Sequence, residues 1–117
     1  MTKDEAISKL ETWGSMHPSS RQDRAEKAIA FVRLFTGALP DSTTNRPGDP
    51  LCMLWWGGHY ILYIELEFTA ASIFYYYDLK IERNVLESRR GRVDFDGETI
   101  PPIITKIFEM DKDIRAG

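Results

Sequence analysis

Cys52 and His59 are the residue types of a cysteine nucleophile and its general base, the first chemistry the chain suggests. On two strands joined at Gly57-Gly58 they share a sheet face. They nonetheless lie several residue pairs apart along such a hairpin, well beyond the hydrogen-bond reach that thiol activation needs. A half-buried strand thiol and an imidazole near a turn account for both without catalysis. Glu65 and Glu67 are the second pair with catalytic potential. They leave one strand face roughly 7 Å apart, the order of separation of paired carboxylates in glycosidases. Acidic residues on the outward face of a half-buried strand explain the same spacing.

Metal binding needs at least three convergent ligands, whereas His17 and His59 sit in unrelated segments beside a single cysteine, with no HxxxH, CxxC or calcium-loop pattern. Asp94-x-Asp96-x-Glu98 starts like a calcium loop, lacks the rest, and reads as a solvated strand end. Arg89-Arg90-Gly91-Arg92, with Lys80 and Arg83 nearby, is the dense basic cluster that could grip phosphate or an acidic partner protein. It reads as a solvated connection between strands, without the interleaved aromatics of a nucleic-acid reader. A net charge of −3 over 117 residues also repels phosphate backbones and anionic lipid. The expectation is a non-enzymatic chain with no cofactor and no metal, for which nucleic acid is a disfavoured partner rather than an excluded one.

A sheet must position these side chains. Leu51 to Leu79 holds all five tyrosines, two of the three tryptophans and two phenylalanines in an alternating run. Gly57-Gly58 is a two-residue hairpin signal, because both central positions of a type I′ turn need positive φ. It sets Trp56 opposite His59, Trp55 opposite Tyr60 and Met53 opposite Leu62. A second turn centred on Ala70-Ala71 sets Phe68 against Ile73, Leu66 against Tyr75 and Ile64 against Tyr77. Both turns assign one apolar face to the core, running from Leu51, Met53 and Trp55 through Leu66 and Phe68 to Ile73, Tyr75 and Tyr77. The opposite face carries Leu54, Trp56, Ile61 and Tyr63, then Glu65, Glu67, Phe74 and Tyr76. Arg92 to Phe95 adds a fourth strand.

Helices complete the plan. Thr2-x-x-Glu5 is a capping-box pattern, and Ala6, Ile7, Leu10 and Trp13 recur at helical spacing over 3–13. Ala25, Ala28, Ile29, Val32 and Phe35 mark a second helix over about 20–37, and Pro40 to Pro50 reads as a surface loop. Pro101-Pro102 opens a third helix over about 101–112, with Ile103, Ile104, Ile107 and Phe108 as its buried stripe. The expected class is α+β with order ααββββα in a single domain: two N-terminal helices, a four-stranded antiparallel sheet and a C-terminal helix. The longest apolar stretch is broken by Gly57-Gly58-His59 and is too short to span a bilayer as a helix. The lone cysteine and the polar Met1-Thr2-Lys3-Asp4 start point to a cytoplasmic protein.

Several short landmarks follow in order. They are Trp13-Gly14, Leu39-Pro40, Leu54-x-Trp56, Gly57-Gly58-His59-Tyr60, Tyr63-Ile64-Glu65, Tyr75-Tyr76-Tyr77-Asp78 and Ile100-Pro101. In this series the chain resembles a loosely defined group of small uncharacterised bacterial and phage proteins. The resemblance implies a shared fold. It further implies an accessory protein of a mobile element, an inhibitor of a host defence system or a toxin-neutralising partner, with no catalytic residue to carry over.

The aromatic outer face has two readings from spacing alone. Left open, Leu54, Trp56, Ile61, Tyr63, Phe74 and Tyr76 approach the size at which an exposed apolar patch signifies binding, flanked by Glu65 and Glu67. Covered by a helix, the same residues make a three-layer domain. The first predicts a module that binds a protein partner by occlusion. A rival is a small-molecule binder or enzyme with a pocket between sheet and helices, using Tyr63, Tyr75, Tyr76 or Tyr77 with Glu65 or Glu67. Homodimerisation is a third.

Overall fold

Thr2 starts the first helix by accepting the backbone N–H of Glu5 on its Oγ1 at 3.2 Å and that of Ala6 on its carbonyl at 3.0 Å. In the computed structural model, which describes residues 2–15, 19–44, 51–57, 61–82 and 84–116, this helix is α1, Lys3–Ser15. Then come α2 (Ser19–Leu34), β1 (Ser42–Thr44), β2 (Leu51–Trp55), β3 (Leu62–Phe68), β4 (Ser72–Ile81), β5 (Asn84–Asp94) and α3 (Pro102–Ala116). The class is α+β, with a five-stranded antiparallel meander in the order β1-β2-β3-β4-β5. No described helix is long and apolar enough to cross a membrane.

Helical spacing places the buried stripes correctly, with one addition. Ala6, Leu10 and Trp13 of α1 and Ile104, Ile107 and Phe108 of α3 are buried as expected. On α2 the centre of the stripe is Phe31, absent from the expected set, while Ile29 lies at its margin. Helix α2 ends at Leu34, three residues early, because Phe35 folds back over the chain. Its ring lies 5.1 Å from that of Phe31, and a Cβ at Gly37 would come within 2.6 Å of it.

The sheet confirms one turn and moves the other. Phe68 pairs with Ile73, Leu66 with Tyr75 and Ile64 with Tyr77, as expected. Thr69 closes that turn, its Oγ1 accepting the Ser72 N–H at 2.9 Å and that of Ala71 at 3.3 Å. The first hairpin is different. Trp55 pairs with Ile64 rather than Tyr60, and Met53 with Leu66 rather than Leu62, a slip of four residues. The expected partners His59 and Tyr60, with Gly58, lie outside the described residues. The cause is Asp41, whose Oδ2 accepts the N–H groups of Trp56 at 2.8 Å and Gly57 at 2.9 Å, so that a side chain takes donors a two-residue hairpin would use differently. A slip of four is even, and the paired side chains of β2 and β3 keep their faces.

One strand raises the expected count of four to five, and another is longer than expected. Ser42–Thr44, read as loop, forms β1 along β2, with Ser42 opposite Leu54 and the Asp41 N–H donated to the Leu54 carbonyl at 2.8 Å. The expected four-residue strand from Arg92 is the end of the eleven-residue β5, which pairs with all of β4. Arg89, Arg90 and Arg92 therefore stand in a strand, not in a solvated connection. Their polarity hid the alternation, and pairing with the ten-residue β4 supplies what apolar patterning did not.

Helices α2 and α3 meet one side of the sheet and α1 packs against α2, in one core with Leu51, Met53, Trp55, Leu62, Ile64, Leu66, Phe68, Ile73 and Tyr77. Trp55 stands at its centre, edge-on to Phe31, Phe35 and Phe108 at 6.3, 6.1 and 4.9 Å, and its indole N–H is donated to the Ala38 carbonyl at 2.9 Å. Trp55→Ala is expected to cost about 3–5 kcal/mol, against about 1 kcal/mol or less for Phe74→Ala on the other face. Denaturant midpoints of the two variants measure the contrast.

Candidate functional site

The outer face is built from cross-strand rows. One row reads Leu54, Glu65, Tyr76, Arg90 across β2 to β5, and the next reads Cys52, Glu67, Phe74, Arg92. Tyr63, Asp78 and Ser88 form a third. Each of the first two rows thus carries an acid on β3, an aromatic ring on β4 and an arginine on β5. Two strand spacings, roughly 10 Å, separate the glutamates from the arginines.

The aromatic column ties the rows together. The Arg90 guanidinium lies 5.4 Å from the centre of the Tyr76 ring and that of Arg92 lies 6.0 Å from the Phe74 ring, both within cation–π range. Tyr63 and Tyr76 meet edge to face at 6.3 Å. Tyr63 donates its phenol to Glu65 at 2.7 Å and Tyr76 donates to Asp78 at 2.6 Å. These side chains are held before any ligand arrives.

Each phenol is held neutral above its ordinary value. For Tyr63 burial is the first cause, followed by the bond to Glu65 and that carboxylate's charge. For Tyr76 the bond to Asp78 leads. Burial opposes charge on Asp78, but bonds from Tyr76 and Ser88, with Lys80 and Arg90 nearby, outweigh it and hold the carboxyl below its usual range.

The outer-face residues expected from the sequence are brought together here. Phe74 is exposed, and Leu54, Tyr63, Glu65, Glu67 and Tyr76 are half-buried. Trp56 follows β2 and is half-buried, while Ile61 precedes β3, is exposed, and accepts the Lys80 N–H on its carbonyl at 2.7 Å. Among the described residues no helix crosses this face, so the layers are two. Cys52, Glu65, Glu67, Phe74, Tyr75, Tyr76 and the Arg90-Gly91-Arg92 segment line a shallow concavity of about 480 Å³. The arginines were missed as members of the site. Their period-two spacing, Arg90-x-Arg92 ahead of Val93, was the signal available.

The pocket expected between sheet and helices is not where those residues lie. Tyr63, Tyr76, Glu65 and Glu67 face outward and Tyr77 faces the helix layer, whereas Tyr75 packs partly against the core and also lines the outer concavity. Tyr77 is buried and donates to Glu87 at 3.0 Å, and the Tyr75 ring lies across Gly91, where a Cβ would meet it. A second concavity of about 480 Å³, beside α3, is lined by Phe35, Ile100, Thr105 and Phe108 among others, and by none of these tyrosines. Among the described residues no group of three or more His, Cys, Asp or Glu could hold a metal ion. His59 lies outside the described residues, so the Cys52 and His59 pair has no geometry to report.

Comparison with protein-family models, with curated proteins and with solved structures finds no match to the chain.

The raised phenols give a signed pH dependence. Their stabilisation is fully present below the unfolded tyrosine value of about 10 and is lost as pH rises through the higher folded values. Tyrosinate absorbance is expected to develop later in the folded chain than in urea, with Tyr63→Phe removing a late-titrating phenol. Unfolding midpoints should fall once pH exceeds about 10.

Proposed function

We propose that this chain is a non-enzymatic protein-interaction module that docks a partner protein on the outer face of its sheet. The observation that carries the reading is the ordered aromatic column of Phe74 and Tyr76 between a glutamate row and an arginine row, on a face no described helix covers. Aromatic and arginine side chains are the usual anchors of protein interfaces, and anchors already fixed by neighbours lose little entropy on binding. Glu65 is tied to Tyr63, which suits a positioned charge better than a free acid or base.

By the resemblance stated above, the partner is a host defence component or a toxin, and the mode of action is occlusion in the cytoplasm. A small ligand in the concavity is the second reading, favoured by its volume of about 480 Å³ and by opposite charges at its two sides. A zwitterion with a flat centre matches that layout.

Phe74→Ala with Tyr76→Ala is the decisive variant, with Lys106→Ala on α3 as the control. Each anchor is expected to contribute roughly 2 kcal/mol, about thirty-fold in affinity. Quantitative capture from host lysate should lose its specific partner with the double variant and keep it with the control, at unchanged circular dichroism. Equal capture by both overturns face docking, and light scattering that reports a dimer broken by the double variant assigns the face to a second copy.

A further inference from the structure

The edge of the sheet, as distinct from its face, offers a second surface. β5 is the last strand in the order, and among the described residues no strand or helix pairs with its free side. At eleven residues it is the long edge, since β1 at the other side has three. A strand in this position presents a row of unpaired N–H and C=O groups. Sheets blunt such edges by shortness, proline, lysine or a bulge, and β5 is long, contains neither proline nor lysine, and has its register irregularity at Leu86, away from Arg90-Gly91-Arg92.

Its charges are Arg89, Arg90 and Arg92, three of the chain's 15 basic residues within four positions, with Glu87 before them and Asp94 after. Arg90 and Arg92 lean back over the Tyr76 and Phe74 rings. Arg89, on the opposite side, is tied to Glu87 at 2.9 Å. Between them Gly91 has no side chain, and the ring of its cross-strand partner Tyr75 covers its inner side. The main chain at Arg90-Gly91-Arg92 is thus open to a neighbouring strand and flanked by positive charge.

We propose that β5 takes an extended acidic segment of a partner protein as a sixth strand. Asp or Glu residues at alternate positions of the segment face Arg90 and Arg92, and an apolar residue between them lies against Gly91 and Tyr75. Main-chain bonds supply affinity, and the alternate charges supply selectivity. A second β5 would bring its own arginines to the edge, whereas an acidic strand brings the opposite charge. The proposal is separable from face docking, because it requires the partner's backbone N–H groups and the face does not.

The probe is a fluorescein-labelled peptide of alternating Glu and Val, titrated with the full chain and read by anisotropy. Saturable binding is expected, weakened about tenfold or more by N-methylation of alternate backbone nitrogens or by Lys in place of Glu. Arg90→Glu with Arg92→Glu should reverse the preference to the Lys peptide, and Arg90→Ala with Arg92→Ala should abolish it. Hydrogen exchange should slow at β5 amides when the peptide binds, and Lys106→Ala on α3 should preserve binding. Equal affinity for the N-methylated peptide, failure of the acidic peptide to bind, or β5 protection that grows with protein concentration alone each overturns it.

Discussion

The indole of Trp55 joins the layers of this molecule, and much of the rest depends on its burial. It is the last residue of β2, so fixing it fixes the start of the sheet. Phe31 and Phe35 from α2 and Phe108 from α3 meet it edge-on, an arrangement that suits the aromatic quadrupole. Its N–H anchors the segment after α2 through the Ala38 carbonyl, and three residues later Asp41 clamps the N–H groups of Trp56 and Gly57. The connection from helix to sheet is therefore held on both sides of Pro40. That clamp shortens β2 and recruits β1.

With the helix layer gathered around this centre, the sheet buries one side only. The other side must be compatible with water and still carry rings. Its solution is pairing: each phenol or phenyl ring on β4 has an arginine of β5 across it, and the two phenols donate to carboxylates. Half-buried aromatic rings stabilise β4 while their hydrogen bonds stay satisfied. The same pairing gives the face a charge gradient from β3 to β5, a feature of a recognition surface.

Legibility differed by element for physical reasons. Helices α1 and α3 were readable because each presents an apolar stripe against polar surroundings. The Ala70-Ala71 turn was readable because two long alternating runs meet there. The first hairpin was not, because the residue that determines it, Asp41, is distant in sequence. β5 escaped because its only half-buried residues are Glu87, Gly91 and Val93, so Asn84 to Asp94 show almost no apolar alternation. Arg90 and Arg92 were consequently left out of the site, although the rings they cover, Tyr76 and Phe74, were in it.

The alternation of Leu51 to Leu79 by itself determined which side chains face the helices and which face away. A period of two survives any even slip, and the four-residue displacement at the first hairpin left the face assignments of the paired residues intact. The register of the first hairpin, the strand number and the open outer face were decided only in three dimensions. They depend on which donors Asp41 captures, on β4 needing a partner along its full length, and on where three helices find room, none of which is a local property of the chain.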